Sequence, residues 1–341
     1  MYDYQRDFRR GESEVRGVLG TRALIEQTVR SMLLEQERGV QLRSAAPVAG
    51  LLFEGGGGSK QLTGVKLKGG EVLATDLVVD ASGRSSQTAD WMAAAGLQPP
   101  PKLMVDAKLG YATRFYERPA DYSGPPAALV GGRPMFTRGA VLIPVEGNSW
   151  QLILGGYAGD HHAAGRQAAQ RHQSLPWHQE PGRCYDKVDM PEGLVVMGDA
   201  HAAFNPIYGQ GITTDVLQSE ALKEAFQKRA AAVVDTPWTL AISEDSKWPI
   251  AESNYEVPQT AALLRPYFAA LAVAASQDDA VFAEWARVLH MLKPPTAFFS
   301  PFMLLKTLQY AVLLPFLRRL PLVGRLFPGA APAVPAEPAS S

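Results

Sequence analysis

The chain has 341 residues, of which 46% are hydrophobic and 20% charged, and its formal net charge at pH 7 is -1. This composition is typical of a globular protein with a sizeable core and excludes a wholly disordered chain. Because there is no surplus of positive charge to neutralise phosphates, we do not expect nucleic acid as a partner. The single cysteine, Cys184, and a polar N-terminus without the apolar core of a signal peptide favour an intracellular location.

The first predicted element is a helix that starts after Thr21 and ends near Gly39. Thr21 is the candidate N-cap, because its hydroxyl can accept a hydrogen bond from an amide of the first turn. The apolar residues recur at helical spacing and are predicted to lie on one face. That face consists of Leu24, Ile25, Val29, Met32 and Leu33.

Short strands are predicted next. Val65 and Leu67 alternate with lysines, and the alternation resumes at Val72 after Gly69 and Gly70, which predicts a tight β-hairpin. The glycine run at 55–58 lacks the spacing of a phosphate-binding loop, so it is interpreted as a flexible hairpin loop.

Two apolar runs each end in an acid. The run 77–79 is followed by Asp80 in DASGRSS, and the run 194–196 is followed by Gly198 and Asp199 in GDAHAAFNPIYGQGITTDV. Both runs are predicted to be buried strands, the first apolar on both faces. The carboxyl ends of such strands are where open α/β sheets bind ligands.

The segment after Asp199 favours a particular kind of ligand. Asp199 can accept hydrogen bonds from hydroxyl groups, and NPIYGQG brings bare backbone amides to a helix that begins near Thr213, where the helix dipole favours negative charge. A polyol chain and a ring that becomes anionic on reduction, as in a flavin, suit this arrangement. An ordinary strand–loop–helix connection with an aspartate N-cap fits the same spacing.

These segments resemble a known family. GDAHAAFNPIYGQGITTDV (198–216) resembles the GD motif of the group A flavoprotein monooxygenases, the superfamily of FAD-dependent aromatic hydroxylases and epoxidases. DLVVDASGRSS (76–86) resembles their second, DG-type motif, although Ser82 stands where that motif often has aspartate, and GTRALIEQTVR (20–30) is similar to their arginine-bearing helix. The resemblance covers residues 20–228 with gaps.

The resemblance implies a flavin-binding role for ten residues. Asp199 would bind the ribityl chain, the amides of residues 209–211 would lie beside the isoalloxazine ring and the pyrophosphate, and Pro206 would shape the loop under the ring. The ten are Arg22, Asp80, Gly83, Arg84, Gly198, Asp199, Pro206, Gly209, Gln210 and Gly211.

The other implied roles have competing interpretations. Arg22 would lie near the ribityl and phosphate region, but a surface helix residue fits equally. Asp80, Gly83 and Arg84 would support FAD and nicotinamide nucleotide, but Arg84 also fits a turn residue that faces solvent. His201 either borders the flavin or is a buried, hydrogen-bonded structural histidine.

The family's G-x-G-x-x-G motif cannot be found in the chain. We therefore expect an α/β fold with an incomplete, Rossmann-like FAD-binding domain of the glutathione-reductase type that lacks its N-terminal βαβ unit. An inserted antiparallel β substrate domain and a helical C-terminal region complete it. The predicted boundaries are 1–100 and 187–230 for the FAD-binding domain, 101–186 for the β domain, 231–328 for the C-terminal helices, interrupted by prolines, and 329–341 for a disordered tail.

The resemblance implies FAD as cofactor, NAD(P)H as electron donor, and molecular oxygen and a small apolar substrate as partners. The reaction would insert one oxygen atom into an aromatic ring or alkene. We assign no catalytic residue, because the cofactor carries the chemistry. A flavin-dependent reductase of the geranylgeranyl-reductase type and a catalytically inactive fragment stay open as alternatives.

Two further segments bear on partners. Residues 297–327 are strongly apolar but are broken by Lys306, Pro315 and the arginines at 318 and 319, so they predict a peripheral membrane anchor rather than a span. Packing against a protein domain is the alternative. The histidines at 161, 162, 172 and 178 lack accompanying cysteines or carboxylates, so we predict a solvated loop and no metal site.

Overall fold

The computed structural model describes residues 18–56, 60–124, 127–131, 137–157, 160, 174–222, 226–245, 248, 251–254 and 259–318. The chain divides into two compact units, Leu19–Glu256 and a second made of Val257–Ser341 with Met1–Val18. All ten predicted site residues belong to the larger unit. The glycines at 57 and 58, three of the histidines (161, 162 and 172) and residues 319–341 lie outside the described residues.

The larger unit begins with helix α1 (Arg22–Gln36). The Thr21 hydroxyl accepts a hydrogen bond from the Leu24 amide at 3.2 Å, which confirms the predicted N-cap. The helix ends at Gln36, close to the predicted stop at Gly39. The helix has no buried residue, and Val29 and Met32 of its apolar face are 61% and 50% exposed. Spacing identifies an apolar face but not what covers it.

A small antiparallel sheet follows, made of β1 (Val48–Glu54), β2 (Gln61–Leu67) and β3 (Val72–Ala74). The predicted hairpin between β2 and β3 is confirmed, and Gly70 has the positive φ of 90° that its turn requires. Strands β1 and β2 pair antiparallel up to Glu54 and Gln61, whereas Gly57 and Gly58 of the glycine run lie outside the described residues.

The two predicted acid-terminated strands lie side by side. Strand β4 (Val78–Asp80) pairs in parallel with β10 (Leu194–Val196), and helix α2 (Thr88–Ala94) lies between them in the chain. Val78 packs around Leu62 and Met92 together with Leu194 and Val196 of β10. Leu77 and Val79 are nevertheless 53% and 41% exposed, so the prediction that the first run is buried on both faces is wrong. Only one face of β4 meets this hydrophobic cluster.

A six-stranded antiparallel sheet forms the rest of the β structure. Its centre is the long strand β5, which pairs with β8, β9 and β11, and β7 and β6 continue the sheet beyond β8. These strands are β5 (Lys102–Glu117), β6 (Ala128–Val130), β7 (Arg138–Val145), β8 (Ser149–Gly156), β9 (Ser174–Arg183) and β11 (Glu252–Ser253).

Two helices complete the larger unit, α3 (Gly211–Ala221) and α4 (Phe226–Asp245). Trp238 and Ile242 of α4 pack in a buried cluster with Val105 of β5 and Phe204. Pro237 lies inside α4 and does not interrupt it, contrary to the prediction. A proline inside a helix costs about 3 kcal/mol. We infer that burial of its neighbours Trp238 and Ile242 offsets this cost.

The smaller unit is helical. It contains α5 (Gln259–Ala275), α6 (Asp279–Leu289), α7 (Pro301–Leu308), a π-helical turn (Gln309–Leu313) and α8 (Leu314–Arg318). Its core includes Leu271, Val281, Phe298 and Met303. Pro266 lies inside α5, which again continues through it. Within the described residues, no helix is both long and apolar enough to cross a membrane.

Candidate functional site

The site is organised by the carboxyl ends of β4 and β10. Val196 lies opposite Asp80 in the parallel register, and the Met197 amide donates to the Asp80 carbonyl at 3.0 Å. Each strand then enters a short 3₁₀ turn, Gly83–Ser85 after β4 and Gly198–Ala200 after β10. The two turns are in contact. Two acids that are 119 positions apart in the chain are thus delivered to one edge of the sheet.

Asp80 turns inward. Its carboxylate accepts hydrogen bonds from the hydroxyls of Ser82 (2.6 Å), Ser86 (2.5 Å) and Thr88 (2.6 Å), and from the Ser82 amide (2.9 Å). Burial tends to raise the pKa of Asp80, but these hydrogen bonds together lower it below its ordinary value. The carboxylate therefore holds the DASGRSS turn in shape. Ser82, where the DG-type motif often has aspartate, is one of its donors.

Asp199 turns outward. Its side chain is 43% exposed, and one carboxylate oxygen lies 3.7 Å from Nε of Arg84. Arg84 does not simply face solvent, because its Nη2 donates to the Phe204 carbonyl at 2.8 Å. Arg84 thereby joins the turn after β4 to the loop after β10, and Asp199 keeps acceptor atoms available at the surface.

Arg22 is brought to the same region by the start of α1. The Thr21 amide donates to the Glu146 carboxylate at 2.9 Å, and the Thr21 hydroxyl also donates to it. The Arg22 side chain is 88% exposed and bonds Glu26 at 2.6 Å. That hydrogen bond is the main cause of its raised pKa, and the charge of Asp199 also contributes, so the two groups lie within electrostatic range. Arg22 is a surface helix residue within electrostatic range of Asp199.

Asp215 of α3 is a second acid beside Asp199. Burial, with a further contribution from the charge of Asp199, raises the pKa of Asp215 to about 6, although the charge of Arg22 acts in the opposite direction. A side chain at Gly198 would bring its Cβ within 3.4 Å of the Asp215 carboxylate, so glycine leaves room for this acid. The φ of Gly198 is 63°, which other residues rarely adopt.

Bare backbone surrounds these charges. Gly83 and Gly209 have φ values of 81° and 65°, and a Cβ added at Gly83, Gly209 or Gly211 would meet nothing within 4 Å. The Gly209 amide donates to the Pro206 carbonyl at 3.1 Å, so it is already engaged. The first bond inside α3 runs from the Thr214 amide to the Gln210 carbonyl, so the amides of residues 211–213 precede it. A ligand oxygen can approach this backbone closely.

Pro206 and Gln210 lie on either side of the loop's left-handed glycine. Pro206 opens the 3₁₀ turn Pro206–Tyr208, which ends at Gly209, and Gln210 occupies the N-cap position of α3 with 8% of its surface exposed. The helix itself begins at Gly211, two residues before the predicted start.

His201 is a buried structural residue. It is 4% exposed, and burial lowers its pKa to about 4, so the ring is neutral at pH 7. Gln218 contacts its Nδ1 through Nε2 at 3.1 Å and accepts from the Gly198 amide through Oε1 at 2.7 Å. An amide nitrogen can only donate, so His201 accepts at Nδ1. Of the two interpretations made from sequence, this geometry favours the structural one.

Several site residues were missed by sequence reasoning. Tyr111 of β5 is half-buried, and the charges of Arg84 and Arg22 both act on its hydroxyl, so the antiparallel sheet contributes to the same region. Glu146, Asp215 and Gln218 were also missed. The only sequence signal was for Asp215, a polar residue within the apolar spacing of α3.

No group of metal-binding side chains occurs within the described residues. Among the four histidines predicted to lie in a solvated loop, His178 falls in β9, where its backbone is opposite Leu109. The prediction for the other three stays untested.

Comparison with known proteins gives partial matches. No protein-family model matches the chain. "Protein Rv3254" of Mycobacterium tuberculosis (strain ATCC 25618 / H37Rv) is 30% identical over 186 residues, which are 48% of this chain and 39% of that protein. The chain therefore matches well under half the length of this relative.

Solved structures with a similar arrangement include two enzymes. The tetrameric form of 2-methyl-3-hydroxypyridine-5-carboxylic acid oxygenase is 17% identical with a TM-score of 0.46, over 64% of each chain. The flavin-dependent brominase Bmp2 is 13% identical with a TM-score of 0.43, over 85% of this chain and 71% of that chain. Because these TM-scores are low, the chemistry of the site rests on its own geometry, within a mixed α/β fold.

Proposed function

We propose that this chain is the flavin-binding part of an FAD-dependent, monooxygenase-like oxidoreductase. One observation carries the proposal: β10, paired in parallel with β4, delivers the outward-facing Asp199 to 3.7 Å from Arg84 and within electrostatic range of Arg22, next to glycines whose backbone is bare. The motifs that resemble the group A monooxygenases supply the identity of the ligand. The Rossmann-like, glutathione-reductase-type topology and the domain boundaries predicted from sequence belong to the same proposal.

The residues present fit a flavin nucleotide. The Asp199 carboxylate accepts hydroxyl hydrogens, as binding of a ribityl chain requires, and Arg22 and Arg84 bring positive charge suited to a diphosphate. The open space at Gly83, Gly209 and Gly211 admits a ligand against the main chain. Asp80 acts indirectly, by keeping the turn that carries Gly83 and Arg84 in place.

In this function the protein positions the reactants and supplies electrostatics. FAD, when bound, would supply the redox chemistry, with NAD(P)H as electron donor and molecular oxygen as co-substrate. The amides at the start of α3 would stabilise negative charge on the ring through fixed dipoles. The antiparallel sheet, which includes Tyr111, would cover a small apolar substrate and exclude water.

The first test measures FAD binding by the purified chain, using the change in flavin fluorescence during titration. We expect saturable binding that Asp199→Ala weakens by about tenfold or more, because a charge-assisted hydrogen bond is lost. Asp121→Ala, at an exposed turn of the same unit, is the matched control and should leave affinity unchanged. Absence of binding by the unsubstituted chain, or equal affinity in both variants, would contradict the proposal.

The reaction class needs a second measurement. With FAD bound, a monooxygenase consumes NAD(P)H and oxygen and transfers one labelled oxygen atom from ¹⁸O₂ to its product. A reductase of the geranylgeranyl-reductase type consumes the donor without transferring oxygen. Binding without either activity would favour the interpretation as an inactive fragment.

We also propose peripheral contact with a membrane surface through residues 297–327. The described part exposes large apolar side chains on α7, the π-helical turn and α8, including Leu305 (67%) and Phe316 (59%), although Met303 of the same helix is fully buried. Residues 297–327 contain four lysines and arginines and no aspartate or glutamate, which suits an anionic lipid surface, although Lys306 pairs with Asp278.

Co-sedimentation with vesicles tests this contact. We expect binding to phosphatidylglycerol-containing vesicles, weaker binding to pure phosphatidylcholine, and loss of binding in Leu305→Glu. Leu129→Glu, at a 73% exposed leucine of β6 in the other unit, is the control. Equal binding by the two variants would contradict the assigned face, and concentration-dependent self-association without vesicle binding would favour a second copy of the chain as the occupant.

A further inference from the structure

A buried acid lies behind the candidate flavin loop. Asp245 is the last residue of α4 and is 1% exposed. A negative charge at the C-terminal end of a helix is unfavourable, and so is removing a carboxylate from water. Both effects oppose an acid at this position, so its stability depends on the groups that contact its carboxylate.

Its two oxygens each accept a hydrogen bond from the loop. Oδ2 accepts from Nδ2 of Asn205 at 2.8 Å, and Oδ1 accepts from the Tyr208 hydroxyl at 2.5 Å. Asn205 is itself 1% exposed, and its Oδ1 accepts from the Ile207 amide at 3.1 Å. One carboxylate therefore holds both ends of the 3₁₀ turn that leads into Gly209.

The same helix also packs against Phe204, the residue before Asn205. Phe204 packs edge-to-face on Trp238 of α4, with ring centroids 6.0 Å apart. Asp245 is also connected to the antiparallel sheet through Trp248. The Asp245 carbonyl accepts a hydrogen bond from the Trp248 amide at 3.2 Å, and the Trp248 ring stacks on the Tyr157 ring with centroids 4.1 Å apart. The chain around Asp245 thus touches both the loop and the end of the sheet strand β8.

We propose that Asp245 is a positioning residue for the flavin loop. It acts through Asn205 and Tyr208, which place Gly209 in its left-handed conformation and direct the first amides of α3 toward the ligand. This inference rests on the proposed function for its ligand. It also assigns Asp245 the role of connecting the loop to the sheet that would cover the substrate.

The two hydrogen bonds that Asp245 accepts from Asn205 and Tyr208 form a clamp on the loop. The test compares two substitutions that weaken this clamp with a control substitution that lowers the free energy of unfolding to a similar extent. Tyr208→Phe removes one hydrogen bond, and Asp245→Asn keeps the shape but replaces one acceptor with a donor. Val234→Ala removes packing from the buried cluster that also includes Phe204 and contacts Tyr208, but it leaves the hydrogen bonds of Asp245 in place. Urea unfolding of each variant supplies the change in global stability against which the other measurements are compared.

Two readouts follow. Amide hydrogen exchange of residues 207–213 should accelerate about tenfold or more in Tyr208→Phe and Asp245→Asn, but not in Val234→Ala under conditions where all are folded. FAD affinity should fall about tenfold in the two clamp variants and stay within about twofold in Val234→Ala. A double variant of Tyr208 and Asp245 should lose less than the sum, because both changes remove the same contact.

The outcomes separate this inference from the proposed function. If the clamp variants and Val234→Ala change exchange and FAD affinity equally for equal loss of stability, Asp245 is only structural and the inference is wrong. If the unsubstituted chain fails to bind FAD, the proposed function and the ligand part of this inference both fall. Hydrogen exchange still decides in that case whether Asp245 holds the loop.

Discussion

The turns after β4 and β10 begin from the same pattern and reach opposite results. Each consists of a short apolar strand, an acid and a 3₁₀ turn, and the strands are neighbours in one parallel pair. Asp80 is buried under four hydrogen bonds, whereas the Asp199 side chain is 43% exposed. The difference comes from the following residues, because Ser82, Ser86 and Thr88 supply donors to Asp80, whereas alanines and His201 follow Asp199. An acid at a strand end is thus either a brace or a ligand-facing group, depending on nearby hydroxyls.

The largest expected effect on stability comes from Asp80, which holds its turn in place. Asp80→Ala leaves three hydroxyls and an amide without their acceptor, so we expect the free energy of unfolding to fall by about 3 kcal/mol. Urea unfolding followed by tryptophan fluorescence measures this loss. Asp80→Asn keeps one acceptor oxygen and should lose less; an equal stability of wild type and Asp80→Ala would contradict the assignment.

An intermediate effect should come from Asp215, which lies next to the outward-facing acid. Its folded-state pKa of about 6 exceeds the ordinary value of 3.8, so the folded state binds its proton more tightly than the unfolded state. Stability from this group is therefore greatest at low pH and falls as the pH rises from about 4 to about 6. We expect a loss on the order of 1 to 2 kcal/mol after solvent screening.

Asp215→Asn should flatten this part of the pH profile in urea titrations. His201 changes stability in the opposite sense. Burial lowers its folded-state pKa from the ordinary 6.5 to about 4, so the unfolded state binds the proton more tightly and stability falls as the pH drops from about 6.5 to about 4. The comparison between wild type and variant removes that contribution. A profile that is identical in both proteins would show that Asp215 is not the group responsible.

The smallest expected effect on stability is at Asp199. Because its side chain is partly exposed and its contact with Arg84 is long, Asp199→Ala should change the free energy of unfolding by no more than about 0.5 kcal/mol. The same variant is the one expected to weaken FAD binding. A stability loss as large as that of Asp80→Ala would mean that the two turns have similar roles.

Much of the site's framework was predictable from sequence. The runs before Asp80 and Asp199 predicted the strands, Thr21 predicted the start of α1, and the glycines before Thr213 predicted a bare loop opening a helix. These features are local, because a cap, a turn or an apolar strand is written in a few consecutive residues.

The rest depends on contacts between distant parts of the chain. Asp245 and Asn205 are 40 positions apart, and Glu146 and Thr21 are 125 apart, so no short pattern connects them. The exposure of Leu77 was mispredicted for the same reason. Spacing shows which residues are apolar, whereas burial depends on what the rest of the fold brings against them.

The attachment of α1 has a consequence for the charge at the site. This helix has no buried side chain, and its first turn is tied to Glu146 through Thr21. The hydrogen bonds from Thr21 lower the pKa of Glu146, so the tie is present at neutral pH and is released only when acid protonates that carboxyl. The electrostatic potential that Asp199 receives from Arg22 therefore depends on the protonation of Glu146, which lies in the β7–β8 hairpin, whereas Arg22 lies on α1 and Asp199 in the turn after β10.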